Sequence, residues 1–175
     1  REIEEVRKEV ERVRKRYKDE VRKIVEDARR VLEEHKRRVE KLLEELERIL
    51  REAKRLTDEG DRREEVIERL KELLKRIKER IERLNKRLRE VVERIARDLK
   101  RLVEESKREL DRIREEVRDE DMLREIEKAV RELNEESKEL LERIEREVRK
   151  SEERSKEVIK EIAERARKVV EDTKT

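Results

Sequence analysis

Apolar residues return to one face of one helix every 18 positions, and that spacing limits what this chain can become. Val21, Ile24, Ala28, Val31, His35 and Val39 advance by three or four residues at a time, with the histidine standing where an apolar residue is due. The same steps occur upstream at Ile3, Val6, Val10, Val13, Tyr17 and Val21, and begin again at Val39, Leu42, Leu46, Ile49 and Ala53. Five turns in each repeat give about 3.6 residues per turn, the period of an unstrained α-helix. A seven-residue repeat would carry the stripe slowly around the helix and impose a left-handed supercoil, which an 18-residue repeat does not. The spacing predicts a nearly straight helix with one buried face.

The repeat is written again in two further segments. Leu70, Leu88 and Ser106 are spaced by 18, as are Ile126, Ile144 and Ile162. Between the first and second segments lies Thr57-Asp58-Glu59-Gly60-Asp61, which holds the only glycine of the chain. Gly60 suits the left-handed conformation that ends a helix, and Asp61 followed by Glu64 reads as a capping box opening the next one. After Val117 the next inward positions are Glu120 or Asp121, and the stripe restarts out of phase at Met122 and Leu123. A second turn is expected at Arg118 to Asp121; a continuous helix with a slipped register is the alternative. The predicted helices span about 1–57, 62–118 and 121–173. Near-equal helices joined by short turns imply an all-α fold: an elongated, nearly untwisted, antiparallel up-down-up three-helix bundle, a coiled coil in the broad sense. It would form a single domain over 1–175 and a rod of about 80 Å.

Composition supports helices and excludes several functions. Charged residues make up 62% of the 175 residues, a proportion that would suggest disorder if the apolar residues were not periodic. Net charge is only +3, from 56 basic and 53 acidic residues, so no polyanionic partner follows from it. The longest apolar run is two residues, which is too short for a membrane span or the core of a signal peptide. Without cysteine there are no disulfides, thiolate metal sites or cysteine nucleophiles, and localisation cannot be read. Basic runs such as Arg14-Lys15-Arg16 and Lys36-Arg37-Arg38 are interleaved with acids and lack aromatic platforms. They read as solvated faces and not as a nucleic-acid site.

Three equal helices sharing one 18-residue repeat, Glu, Lys and Arg filling nearly every other position, and a turn written Asp-Glu-Gly-Asp resemble computationally designed, parametrically generated three-helix bundles. The resemblance covers the whole chain and implies a scaffold with no natural substrate. A spectrin-like repeat would share the topology but usually carries core aromatics, and this chain has one Tyr and no Trp. Polar residues placed on the stripe depart from the simplest such bundles and look like the buried hydrogen-bond networks that some of them contain.

Tyr17, His35, Ser106, Ser137 and Ser155 share the inward phase, Ser151 lies on the same stripe, and Asn85 and Asn134 flank it. Pairing the helices about their turns puts residue i of the first level with about 119 − i of the second and about 120 + i of the third. His35 then meets Asn85, Ser151 and Ser155, while Tyr17 meets Ser106, Asn134 and Ser137. Clustering is what a stable core requires, because a polar group buried alone costs roughly 1–3 kcal/mol. Catalytic, cofactor and metal roles are not expected. There is no second histidine, no His-Glu-x-x-His, and position 32 is Leu where a di-iron bundle would have the Glu of Glu-x-x-His. Mid-helix amides are already bonded and leave no oxyanion hole beside Ser155. The expected protein is a structural scaffold and not an enzyme. It needs no cofactor or partner, contacts no membrane or nucleic acid, and is monomeric. A helix-mediated interaction module or homo-oligomeric component is the alternative.

Overall fold

The computed structural model describes residues 2–60 and 63–174, with the backbone alone at 173 and 174. Three α-helices follow one another: α1 (Ile3–Asp58), α2 (Arg63–Glu115) and α3 (Glu120–Lys174). Good helix formers fill their outer faces, and no helix contains an internal glycine or proline. Acids open the first turns at Glu4 and Glu5, Glu64 and Glu65, and Glu120 and Asp121, where they meet the positive end of the helix dipole. Bases close α1 at Arg55 and α2 at Arg112 and Arg114.

The first turn forms where the sequence places it. Gly60 has φ 80°, and its N–H donates to the Thr57 carbonyl at 3.2 Å while that of Glu59 donates to Arg55 at 3.1 Å. The capping box expected at Asp61 lies outside the described residues. The second turn is a true break, so the slipped continuous helix is excluded. It comes two residues earlier than expected, at 116–119. Two short-range bonds tighten the end of α2, from Glu116 N–H to Ile113 and from Val117 N–H to Arg114, each 3.2 Å. Asp119 then occupies the N-cap position of α3, its carbonyl accepting from Leu123 N–H at 3.0 Å. Glu120 and Asp121, read from the sequence as turn residues, join the first helical turn, where their charge is favoured. Val117 lies beyond the end of α2 yet still packs on the core.

The chain divides into two compact units, each made of a stretch of all three helices. One combines the chain up to Arg30 with Glu90–Arg146. Its core takes Val6, Val10, Val13 and Tyr17 from α1, Leu102, Val103, Leu110 and Ile113 from α2, and Met122, Ile126, Ala129 and Leu133 from α3. The other combines Val31–Arg89 with the chain from Glu147. Its core takes Leu46, Leu50 and Ala53 from α1, Leu70, Ile77 and Ile81 from α2, and Ile162 and Ala166 from α3. Within the first unit Arg14 pairs with Glu132, an advance of 118 residues, and Arg7 with Glu125 at 3.6 Å. Within the second, Arg165 pairs with Glu47 at 3.4 Å and the same spacing of 118. In both, the α1 and α3 segments therefore run parallel, two residues from the alignment expected from the turns. Pairs such as Arg16–Glu109 and Arg114–Glu127 show α2 running antiparallel to each in the first unit.

Candidate functional site

Two groups of polar side chains stand on the buried faces, one in each unit. In the second unit His35 stands one full repeat beyond Tyr17 on the α1 stripe, and the helix carries it inward to 6% exposure. Its Nε2 lies 2.8 Å from Asn85 Oδ1 on α2. An amide oxygen only accepts, so Nε2 bears the hydrogen. The Asn85 amide nitrogen donates to Ser155 Oγ on α3 at 3.3 Å, and Ser155 Oγ donates to the Glu152 carbonyl at 2.8 Å, closer than its 3.4 Å approach to Asn85 Oδ1. Hydrogen bonds thus run in one direction across all three helices and finish on a backbone carbonyl. Asn85 stands between the imidazole and the serine hydroxyl, and no carboxylate takes part, so the cluster lacks the base-to-nucleophile contact of a catalytic triad. Ser151 is half-buried and does not join these bonds.

Beside the cluster lies a contact that the sequence does not reveal. Glu152, whose side chain is only 13% exposed, is gripped by Arg89: Nε approaches Oε1 at 2.8 Å and Nη2 donates to Oε2 at 3.1 Å. Oε1 is sealed from solvent without a well-aligned hydrogen bond, so the positive charge of Arg89 is what compensates it. In the sequence both residues look like ordinary outward charges.

In the first unit Tyr17 is 2% exposed. Its hydroxyl donates to the Leu133 backbone carbonyl at 3.5 Å and stands within hydrogen-bonding reach of the Ser137 hydroxyl, one of the three partners expected from the sequence. Burial pushes the Tyr17 pKa above its ordinary value of 10.0; the Glu136 carboxylate adds to the rise and the Ser137 hydroxyl partly offsets it. Ser106 and Ser137 are buried, and Ser137 Oγ donates to the Asn134 carbonyl at 3.0 Å. The Asn134 side chain is exposed, which corrects its placement in this cluster. On α3 the innermost line at this level is Ile126, Ala129, Leu133 and Ser137, leaving 134 on the rim. Ala129 makes room for the tyrosine ring, and the space left beside it is about 10 Å³, no more than one water could use.

Thr57 is a further buried polar residue that the sequence reading does not single out. It is 3% exposed, and its Oγ1 donates to the Lys54 carbonyl at 2.8 Å. The signal lies in the spacing, since Val21, Val39 and Thr57 follow one another at one repeat each. Among the described residues no group of three or more His, Asp or Glu side chains could hold a metal ion, and no helix is long and apolar enough to cross a membrane.

No protein-family model matches the chain, and no curated protein matches it. One solved structure to which it is similar is described as a computationally designed three helix bundle. The two share 22% identity over 98% of this chain and 91% of that one, with a TM-score of 0.49.

Two outcomes follow from this geometry. Asn85→Leu strips partners from both the His35 N–H and Ser155, and should destabilise the protein by about 2–4 kcal/mol in denaturant titrations. The triple variant His35→Leu, Asn85→Leu, Ser155→Ala leaves no group unsatisfied and should recover most of that loss. Tyr17 makes a second case, in its pH dependence. A folded pKa raised above 10.0 means the unfolded chain releases the phenolic proton first. The contribution is full below about pH 10 and declines as pH rises through the folded value, so the stability advantage of the parent over Tyr17→Phe should shrink in that window. An advantage constant across it would contradict the buried placement.

Proposed function

We propose that this chain is a structural scaffold, a helical body whose buried polar groups align its helices and perform no chemistry. The supporting observation is the closed use of hydrogen bonds around Asn85. His35 Nε2, the Asn85 amide and the Ser155 hydroxyl each spend a hydrogen on a neighbouring helix or a backbone carbonyl. A serine nucleophile would need a basic nitrogen beside it, and Asn85 stands between the imidazole and the Ser155 hydroxyl, which already donates to the Glu152 carbonyl.

The scaffold acts as a monomer that needs no partner, cofactor, membrane or nucleic acid. The apolar stripe is consumed within each unit, and among the described residues Ile3 is the one large hydrophobic side chain left exposed. Such a surface offers little apolar area to a second copy. Light scattering coupled to gel filtration tests the proposal. The expected mass is 21.8 kDa at every concentration from low micromolar to millimolar. A mass that climbs with concentration toward a dimer or trimer would overturn it in favour of a homo-oligomeric component.

A further inference from the structure

We propose that the groove between α1 and α2 in the second unit is an anion site that takes a short chain of linked phosphates. Arg38 and Lys41 line it from α1, and Arg80, Arg83 and Arg87 from α2, with Glu45 the single carboxylate among them. The groove is open to solvent, has a volume of about 360 Å³ and is lined also by Leu42 and Leu84. Five cations against one anion also line a hollow on the outer face of α1, at Lys8, Arg12, Arg14, Lys15 and Lys18 with Glu11, but there a single helix supplies every charge, whereas here two helices face each other across a groove. The α1–α2 groove of the first unit sets Arg12, Arg16 and Arg112 against Glu9, Glu109 and Glu116, with Arg16 bonded to Glu109 at 3.0 Å. The α1–α3 and α2–α3 seams are bridged by pairs such as Arg165–Glu47 and Arg89–Glu152.

The cations of the basic groove are also poorly compensated. Arg38 has Glu34 at 3.9 Å on its own helix, whereas Lys41, Arg80, Arg83 and Arg87 form no ion pair among the described residues. Arg80, Arg83 and Arg87 recur at helical spacing on one face and span about 10 Å of α2. Guanidinium groups match phosphate oxygens in pairs of parallel hydrogen bonds, and Lys41 adds a point charge. A linear anion with one or more charges per unit would satisfy several of these groups at once and relieve their mutual repulsion.

Inorganic triphosphate is the probe, followed by titration calorimetry at low ionic strength. Saturable one-site binding to the parent is expected. Arg83→Gln with Arg87→Gln should weaken it by roughly tenfold per guanidinium removed. Both residues are exposed, and circular dichroism verifies that the variant keeps its helices. Arg16→Gln with Arg112→Gln, in the balanced groove, removes the same net charge and should leave the affinity unchanged. ATP distinguishes the source of the phosphates: equal affinity places recognition in the phosphate chain alone, and tighter binding still abolished by the Arg83 and Arg87 changes places a nucleotide there. Absence of saturable binding would overturn the proposal. So would equal weakening by the two double variants, which would mean attraction to the overall positive charge.

Discussion

Everything in this molecule depends on burying one apolar stripe per helix. Within a protein most helical stability comes from tertiary packing of one apolar face, and here the non-stripe positions are almost all charged, so no other surface can supply it. A fully buried Leu, Ile or Val contributes roughly 1.5–3 kcal/mol, while an exposed ion pair contributes roughly 0–1 kcal/mol. The pairs between helices, Arg7 with Glu125 or Arg165 with Glu47, therefore follow the alignment that the stripe creates and add little to it. The period of the stripe explains why three long helices can share it: at about 3.6 residues per turn the apolar face does not drift away from its neighbours.

Regularity has a cost in uniqueness. A stripe this periodic looks nearly the same after a shift of one helical turn, and apolar contact alone distinguishes weakly between such alignments. The bonds joining His35, Asn85 and Ser155 respond differently. A shift of one turn separates the partners and leaves buried donors unmet at roughly 1–3 kcal/mol each. Tyr17 discriminates less, because its acceptor is a helix carbonyl and every turn of α3 presents another. The two polar layers thus differ in kind: the one around Asn85 selects an alignment, and the one around Tyr17 fills space and keeps a hydroxyl satisfied.

The helices and the turn at Gly60 can be read from periodicity because they rest on local rules, helix propensity and the backbone freedom of glycine. Counting turns from the loops brings His35, Asn85 and Ser155 to one level, since helices are stiff and a rise of about 1.5 Å per residue leaves little room for error. What escapes the sequence depends on side-chain size and direction. Ala129 and not Val130 holds the innermost line, beside the ring of Tyr17, and Asn134 lies on the rim. Tyr17 bonds to a backbone carbonyl, which no residue type advertises. Arg89 and Glu152 are chemically identical to dozens of solvated charges, and only the fold shows that this carboxylate is covered. The boundary at Asp119 is hard to read because acidic residues off the stripe resemble a turn, when the start of a helix favours them too.

The central claim is that this chain adopts one alignment of its helices and that the polar layer around Asn85 enforces it. Distance measurement between two spin labels tests it most directly. Lys36 and Lys156 are exposed on α1 and α3 beside that layer, and the chain has no native cysteine to compete for labelling. With cysteines at both sites, one narrow distance distribution is expected in the parent, and a second population should emerge when His35, Asn85 and Ser155 are replaced by apolar residues. A parent with two populations, offset along the axis by one helical turn of about 5 Å, would contradict the account.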